Sequence, residues 1–366
     1  MNIVMITNDT NFAWHLRREI LAEFVRLGHK ATLIARIMDF EKEFNSIGVR
    51  VINVENDRRG TNPLADFHLF QSYRRILKNE KPDIVFTNNI KPNVYAGLAC
   101  QFLRIKYIPN ITGLGTPVEN PGPLQHVSTI LYRLGVRKAS AIFFQNTENQ
   151  SFFSAHKLLR KGTREVLLPG SGVNLESFPL LPWPTEHPKH ILFAARILRE
   201  KGIDLFLAAA RRFASRDEII FDVCGQCDDQ SYLQILENDS SIAYHGLQKN
   251  LKPWYEKSCL FLYPSYYPEG MSNVLLEAAA SGRPVIAADR SGCREIVDDG
   301  KTGFIVPIKD EKAVINAVSA FLDMEPRERK QMGLLGRVKM ETEFSRTRVV
   351  EKYCEEIERL FPDCSF

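Results

Sequence analysis

The 366-residue sequence has few of the features that mark membrane, secreted or metal-binding proteins. No apolar run approaches the roughly 18 residues that a membrane-spanning helix needs. The first residues lack the basic start of a signal peptide and favour a buried strand. The seven cysteines are scattered, and Cys224-Gly-Gln-Cys227 has no second such pair, so neither disulfides nor a zinc site is expected. We therefore expect a globular protein of the cytoplasm.

Motifs that bind cofactors are also missing. The loop after the first predicted strand, Asn8 to Asn11, contains no glycine, whereas nicotinamide oxidoreductases place a G-x-G-x-x-G turn there. The sequence has no Asp-x-Asp pair to bind a metal ion. It also has no dense basic tract and no recognised nucleic-acid-binding module. We therefore expect no cofactor, no metal and no nucleic-acid partner.

The sequence does contain a regular alternation of strands and helices. The composition, 44% hydrophobic and 25% charged, is that of a globular protein, and the length suits two domains. Short apolar runs predict strands, and helical spacing predicts helices between several of them. The strands are expected at 3–6, 30–35, 49–54, 83–87, 107–111 and 141–145, and the helices at 14–27, 64–79 and 124–138. Such alternation predicts a parallel sheet with helices on both faces.

A proline-dense segment interrupts this alternation at 179–189, and a new strand begins at Ile191. We therefore predict an N-terminal domain over 1–178, a linker over 179–189 and a second domain over 190–345, followed by a helical segment over 346–366. The expected fold class is α/β, with two Rossmann-like domains that contain parallel sheets and face each other across a cleft.

Charge is distributed unevenly along the chain. Residues 1–180 contain 23 lysines and arginines against 15 aspartates and glutamates, whereas residues 181–366 contain 25 against 29. A basic first half suits an anionic membrane surface and a pyrophosphate-bearing partner. The predicted helices at 124–138 and 64–78 combine apolar positions with arginine and lysine, so each either lies on a bilayer or packs on its own sheet.

The segment from Tyr263 to Glu277 contains two carboxylates eight positions apart, Glu269 and Glu277. The first lies in a turn between Pro268 and Gly270, and the second lies about one turn inside a predicted helix over 273–280. Unpaired backbone N–H groups near 271–274 lie between them and favour an anion. Two carboxylates around such a helix start suit a nucleotide sugar, although each taken alone is more often a solvated residue.

A second polar cluster lies about seventy residues upstream. A predicted strand over 190–195 leads into a turn with Arg196, Lys201 and Gly202, and a further strand ends at Gly225. Open α/β sheets place phosphate-binding groups at the carboxyl ends of their strands, and glycine lets the backbone approach a ligand closely. The alternative for the cations is a solvated basic turn.

Taken together, these segments resemble the donor half of family-4 retaining glycosyltransferases of GT-B architecture. The resemblance runs in unbroken order over 190–306, and the N-terminal half resembles the family more loosely. The motifs are Arg196 with Lys201-Gly202, Val223-Cys-Gly225, Tyr263-Pro-Ser265, Glu269 with Glu277, Ala280-Ser-Gly-Arg-Pro284, Gly292-Cys-Arg-Glu295 and Asp299-Gly-Lys-Thr-Gly303. The segment from Asn110 to Thr116 resembles bacterial enzymes that extend lipid-linked saccharides for capsule, O-antigen or glycoprotein glycans.

The resemblance implies retaining transfer of a hexose or N-acetylhexosamine from a nucleotide-diphosphate sugar, with UDP-sugars favoured. The implied acceptor is a saccharide on undecaprenyl diphosphate, and the implied location is the inner face of the cell membrane. Arg196 and Lys201 would stabilise the leaving diphosphate without a metal, Glu269 would bind the donor sugar and Glu277 the ribose. The remaining donor residues would be Gly225, Gly270, Met271, Ser272, Asn273 and Val274. The segment 346–360 corresponds to the family's last helix, which crosses back to the first domain.

The acceptor side departs from the family pattern. Many members have a Gly-Gly pair after the first strand, where this chain has Thr7-Asn-Asp-Thr-Asn11, and many have a histidine where it has Asn89-Ile-Lys91. The expected acceptor-binding residues are Asn8, Asn89, Lys91, Thr112 and Gly113. Three alternatives stay open: a nucleophilic Glu269 as in retaining glycosidases, a nucleotide-sugar epimerase of the same fold, and a non-catalytic partner subunit.

Overall fold

The structure is a computed structural model and describes residues 1–56, 62–115 and 122–363. The chain forms two compact units, one of Met1–Ser171 with Arg346–Phe366 and one of Gly172–Ser345. The division follows Ser171, seven residues earlier than we predicted, because the chain pairs with the second unit from Val173 onward. The Val173 N–H donates to the Phe344 carbonyl at 2.8 Å. The proline-dense segment 179–189 belongs to the second unit, where Leu181 is buried in the core.

The described residues of the first unit form a seven-stranded parallel sheet, in the order β3-β2-β1-β4-β5-β6-β7. Its strands are β1 (Asn2–Asp9), β2 (Lys30–Arg36), β3 (Arg50–Asn53), β4 (Ile84–Asn88), β5 (Lys106–Ile111), β6 (Ile142–Phe144) and β7 (Glu165–Leu167). The central strands are buried on both faces, which explains their unbroken apolar runs.

The helices of the first unit begin at recognisable caps. The Asp9 side chain accepts from the Phe12 N–H, and Asn146 accepts in the same way from Asn149. The helices are α1 (Thr10–Arg26), α2 (Glu41–Ser46), α3 (Pro63–Glu80), α4 (Gly97–Leu103), α5 (Pro123–Val136) and α6 (Thr147–Ala155), with a π-helical turn over Pro92–Ala96 before α4.

The last helix of the chain packs in the core of the first unit. The Tyr353 ring lies 4.9 Å from the Phe86 ring and 4.7 Å from the Phe143 ring, centroid to centroid. Its hydroxyl accepts a hydrogen bond from Asn110 Nδ2 at 2.9 Å. The segment Arg346–Leu360 therefore completes the hydrophobic core of the first sheet.

The second unit contains a six-stranded parallel sheet in the order β10-β9-β8-β11-β12-β13. Its strands are β8 (Lys189–Ala194), β9 (Ile219–Cys224), β10 (Ala243–Tyr244), β11 (Ser258–Tyr263), β12 (Val285–Ala288) and β13 (Gly303–Val306). Its helices are α7 (Ile203–Arg212), α8 (Gln230–Asn238), α9 (Lys252–Lys257), α10 (Asn273–Ala280), α11 (Glu311–Asp323) and α12 (Pro326–Thr342), and α13 (Arg346–Leu360) returns to the first unit.

In each sheet the first strand of the unit lies at the point where the strand order reverses. Strand β1 lies between β2 and β4, and β8 lies between β9 and β11. Ligands of open α/β sheets bind at the carboxyl ends of the strands around such a point. The topology confirms the predicted fold class of two Rossmann-like units with parallel sheets. Over the three described ranges, no helix has the length and apolar content needed to span a bilayer.

Candidate active site

The loop after β8 is bound along its length to the loop after β9. The Ala195 N–H donates to the Cys224 carbonyl at 3.1 Å, and the Ile197 N–H donates to the Gln226 carbonyl at 2.9 Å. A Cβ atom on Gly225 would lie 1.8 Å from the Ala195 carbonyl oxygen. Only glycine fits there, and the absence of a side chain brings these two loops together at the edge of the sheet.

The loop after β8 also packs against the loop after β11. The Tyr266 N–H donates to the Glu200 carbonyl at 2.9 Å. Gly202 has a positive φ of 84°, and a Cβ atom there would lie 2.4 Å from the Pro264 carbonyl oxygen. Since residues 199–201 form one tight turn ahead of Gly202, Lys201 is directed toward the β11 loop.

The two loops bring Lys201 and Glu269 into direct contact. The Lys201 Nζ lies 2.6 Å from Glu269 Oε1, and Tyr263 donates its hydroxyl to the same oxygen at 2.8 Å. The ammonium group also lies 4.4 Å from the centre of the Tyr267 ring. Burial, with the nearby Glu269 charge, raises the pKa of Tyr263 well above its usual range, so the phenol remains a donor. The carboxylate therefore has a fixed orientation.

Arg196 is not part of this ion pair. Its side chain is exposed on the loop beside Gly225, and it makes no hydrogen bond or ion pair with any described residue. The sequence placed both cations after β8, but the structure puts Lys201 in the interior and Arg196 at the surface.

The start of helix α10 lacks a side-chain cap. Its first N–H groups have no intrahelical acceptor and carry the positive end of the helix dipole. The Ser272 Oγ and Asn273 Oδ1 atoms are buried and have no hydrogen-bond partner among the described residues. The Met271 side chain is buried in the core, so a ligand would meet its backbone. The uncapped N–H groups and the Ser272 hydroxyl can donate to an anionic ligand, whereas the Asn273 oxygen can accept from a ligand hydroxyl.

The second carboxylate, Glu277, is oriented by another buried tyrosine. Tyr255, on helix α9, shares its hydroxyl proton between Glu277 Oε2 at 3.2 Å and the Val274 carbonyl at 3.3 Å. Each of the two glutamates thus accepts from a fully buried phenol. Sequence reasoning missed both tyrosine contacts. Tyr263 precedes Glu269 by six residues at a strand end, which is a usable signal, but no spacing rule connects Tyr255 to Glu277.

Three of the expected acceptor residues are neighbours in the first unit. The Asn8 N–H donates to Asn89 Oδ1 at 3.1 Å, and Asn89 Nδ2 reaches Thr112 Oγ1 at 3.5 Å. These residues lie at the carboxyl ends of the adjacent strands β1, β4 and β5, and Gly113 follows with a φ of 131°. They form a continuous polar edge.

Lys91 does not join this edge. Its Nζ lies 2.7 Å from Asp66 Oδ1, and Tyr95 donates to the other oxygen of the same carboxylate at 2.7 Å. Its charge is therefore neutralised by helix α3. Thr116, at the end of the motif that begins at Asn110, lies outside the described residues.

Potential metal ligands of the described residues are not grouped into a metal site. Across 1–56, 62–115 and 122–363, no group of three or more histidine, cysteine, aspartate or glutamate side chains has the arrangement of a metal site. The positive groups near Glu269 are instead Lys201 and the start of helix α10.

Two family models match the two halves of the chain. Residues 10–146 match the model described as glycosyl transferase 4-like, and residues 188–324 match the model described as glycosyl transferases group 1. The chain therefore belongs to these glycosyltransferases and is an enzyme of the transferase class.

Two similar proteins are also named as glycosyltransferases. The chain is 25% identical to the N,N'-diacetylbacillosaminyl-diphospho-undecaprenol alpha-1,3-N-acetylgalactosaminyltransferase of Campylobacter jejuni, over 89% of this chain and 90% of the relative. It is 24% identical to the capsular polysaccharide biosynthesis glycosyltransferase CapM of Staphylococcus aureus, over 76% and 79%.

Solved structures share the fold. Sucrose-phosphate synthase of Thermosynechococcus elongatus matches with a TM-score of 0.78 at 17% identity, over 100% of both chains. Anabaena Alr3699/HepE in complex with UDP-glucose matches with a TM-score of 0.77 at 15% identity, over 98% of this chain and 100% of that one. These likenesses confirm the GT-B fold class.

Proposed function

We propose that this glycosyltransferase moves a hexose or N-acetylhexosamine from a nucleotide-diphosphate sugar, with UDP-sugars favoured, to a saccharide on undecaprenyl diphosphate. The name of the Campylobacter relative, which covers nearly the whole chain, supports both the lipid-linked acceptor and the N-acetylhexosamine. The structural neighbour that binds UDP-glucose supports the nucleotide. The product would have the α configuration, with retention, and would serve surface polysaccharide or glycan synthesis.

The observation that carries this proposal is the cluster of Lys201, Glu269 and Tyr263 beside the uncapped start of α10, at the reversal point of the second sheet. Cleavage of the bond to the anomeric carbon leaves negative charge on the diphosphate and positive charge on the sugar ring. Fixed cations and backbone N–H groups stabilise such a leaving group without a metal. We assign this role to Lys201, the exposed Arg196 and the first N–H groups of α10.

The donor would rearrange the ion pair between Lys201 and Glu269. Each of these partly buried groups neutralises the other, so neither charge is left unpaired in the interior. A bound donor offers phosphate oxygens to the ammonium and sugar hydroxyls to the carboxylate. The tyrosine hydrogen bond keeps the carboxylate oriented while its partner changes. Glu277 would bind the ribose, and Gly225, which has no side chain, would let the nucleotide approach the backbone closely.

The contacts of Glu269 also bear on how the anomeric configuration is retained, and they disfavour Glu269 as a nucleophile. A carboxylate that accepts from a buried phenol, and from sugar hydroxyls in the donor complex, is a weak nucleophile because its charge is already stabilised. We therefore assign Glu269 to donor binding. The leaving phosphate would depart on the face that the acceptor approaches and would take the acceptor proton.

The first unit would bind the acceptor, and the second would bind the donor. The polar edge of Asn8, Asn89, Thr112 and Gly113 offers amide and hydroxyl groups to a saccharide or pyrophosphate. Lys91 would join only if its pair with Asp66 opened. Because the acceptor is attached to lipid, the enzyme would work as a peripheral protein at the inner face of the cell membrane.

Transfer assays on the purified enzyme test this proposal. UDP- and GDP-linked hexoses and N-acetylhexosamines would be incubated with undecaprenyl-diphosphate-linked sugars, and the anomeric configuration of the product would be read by NMR. Lys201→Met and Glu269→Gln should each lower kcat/KM at least about a hundredfold, since each removes a charged contact at the reacting centre. Lys312→Met, which changes an exposed lysine on helix α11 of the same unit, is the matched control.

Three outcomes would contradict the proposal. Interconversion of the nucleotide sugar without an acceptor would indicate an epimerase. A trapped covalent sugar on Glu269 would assign it as the nucleophile. Absence of turnover with every donor and acceptor pair, together with no nucleotide binding, would indicate a non-catalytic subunit.

A further inference from the structure

Helix α5 carries an apolar surface on the side that faces away from its own sheet. It buries Tyr132 and Val136 in the core beside β6. On the opposite side, Val127, Ile130 and Leu134 are 53%, 41% and 42% exposed. Their spacing of three and four residues places the three side chains on one face of the helix. We call these three residues the α5 stripe.

The orientation of α5 is determined by close backbone contacts. A Cβ atom on Gly135 would lie 2.6 Å from the Val94 Cα atom, so the helix approaches the π-helical turn as closely as glycine allows. The Gly135 carbonyl accepts a hydrogen bond from the buried Tyr107 hydroxyl at 2.8 Å. The helix therefore cannot rotate to bury the α5 stripe without losing these contacts.

Charge next to the stripe has one sign. Arg133, Arg137 and Lys138 are exposed and continue the spacing of the stripe, and none forms an ion pair with a described carboxylate. Arg133 donates to the carbonyl of His156, which does not neutralise its charge. The sequence contains no aspartate or glutamate between residues 120 and 147. The charged residues that flank the stripe are therefore all basic, which suits an anionic partner.

The neighbouring helices α3 and α4 also expose large apolar side chains. Helix α4 packs against both α3 and α5. Leu64 and Phe67 on α3 are exposed by 72% and 54%, and Phe102 on α4 is exposed by 63%. The three apolar side chains of the α5 stripe share one helix face and mark an interaction surface, whereas single exposed ones are ordinary.

We infer that the α5 stripe and its flanking basic residues dock on an anionic lipid bilayer. Apolar side chains would enter the boundary between headgroups and acyl chains, and Arg137 and Lys138 would contact lipid phosphates. A second copy of the chain is a poorer partner, because a symmetric contact would place these positive charges against each other. The inference deepens the proposed function, since a lipid-linked acceptor requires such a surface.

Co-sedimentation of the full chain with vesicles tests the inference. The vesicles would be phosphatidylcholine with or without about one third phosphatidylglycerol. Each basic residue at the surface should strengthen binding by about 1 kcal/mol, or about fivefold in partitioning, only when the anionic lipid is present. Val127→Gln, Ile130→Gln and Leu134→Gln together should lower partitioning at least about tenfold. Arg137→Gln with Lys138→Gln should remove most of the preference for anionic vesicles and most of the salt dependence.

A matched control lies on the second unit. Leu335→Gln with Val338→Gln changes two aliphatic side chains of α12 that are 41% and 51% exposed, and should leave vesicle binding unchanged. Circular dichroism and the melting temperature would establish that every variant folds, as expected for changes at exposed positions.

The outcomes separate the surface from the chemistry. If the stripe variant retains transfer to a short-chain, water-soluble diphosphate-linked acceptor but loses vesicle binding, both proposals stand. If the enzyme binds vesicles but transfers no sugar, the inferred docking surface stands and the proposed function is overturned. Equal vesicle binding by wild type and stripe variant would overturn the inference that the α5 stripe docks on a bilayer. The same conclusion would follow if the stripe substitutions dissociated a dimer without changing lipid affinity.

Discussion

The hydroxyl of Tyr263 allows a direct test of how the donor sugar is bound. Tyr263→Phe removes one oxygen atom from a fully buried ring and leaves the Lys201–Glu269 pair in place. The carboxylate loses the 2.8 Å hydrogen bond that orients it. If Glu269 binds the donor sugar, this variant should bind the nucleotide sugar less tightly while its affinity for the nucleoside diphosphate is unchanged.

The expected magnitude follows from the kind of hydrogen bond that is lost. A hydrogen bond to a charged group contributes about 1.5–3 kcal/mol. The Glu269 side chain is 16% exposed, and hydroxyls of the donor sugar would also hydrogen-bond to it, so we expect the lower end of that range. Because about 1.4 kcal/mol corresponds to a factor of ten, the KM for the nucleotide sugar should rise about tenfold. The melting temperature should fall by only ~2–4 °C.

Isothermal titration with UDP and with the UDP-sugar, alongside steady-state kinetics, measures both affinities. Tyr255→Phe is the matched comparison, because this tyrosine is equally buried and donates to Glu277 at 3.2 Å. If Glu277 binds the ribose, Tyr255→Phe should weaken UDP and the UDP-sugar by the same factor.

The two variants together decide the assignment. Equal losses for UDP and the UDP-sugar in Tyr263→Phe would refute sugar binding by Glu269. A loss confined to the UDP-sugar in Tyr255→Phe would show that the roles of the two carboxylates are reversed. Unchanged affinities in both variants would mean that neither phenol orients a ligand-binding carboxylate.

Three further predictions concern the scaffold around the site. Gly225→Ala adds a Cβ atom 1.8 Å from the Ala195 carbonyl oxygen. It should therefore abolish the shift in melting temperature that UDP induces and should lower the melting temperature itself. An unchanged melting curve would contradict the close approach of the two loops. Burial would raise the pKa of Asp222, but hydrogen bonds from two histidines and a lysine keep it below its ordinary value. This stabilisation is present above the unfolded carboxyl pKa of about 3.9 and is lost as pH falls through the lower folded value. In urea unfolding, Asp222→Asn should therefore cost most near neutral pH, and a pH-independent difference would refute the argument. Tyr353→Ala should lower the unfolding free energy by about 3–5 kcal/mol because the ring is fully buried. Cys354→Ala, at the next and only partly buried position, should lower it much less. Equal losses of unfolding free energy would contradict the packing of Tyr353 in the core.

Much of the fold could be predicted because it depends on local patterns. Strand and helix positions in the first unit followed from hydrophobic spacing, and helix α10 begins and ends at Asn273 and Ala280 as its composition predicts. The turn around Pro268 and Gly270 placed Glu269 before that helix. The boundary near 171 was harder, because proline density marks irregular backbone but does not indicate which unit the segment packs against.

The fold class, the order of the elements and the presence of two glutamates and two cations at strand ends thus follow from the residues in their order along the chain. Which of these side chains meet depends on how the strands are arranged in the folded protein. Lys201 contacts Glu269 across 68 residues, Lys91 is neutralised by Asp66, and Arg196 remains exposed. The physical reason is that caps, turns and hydrophobic periodicity act over a few residues, whereas contacts between loops depend on strand order. In this sheet that order makes β8 and β11 neighbours, although two other strands lie between them in the chain.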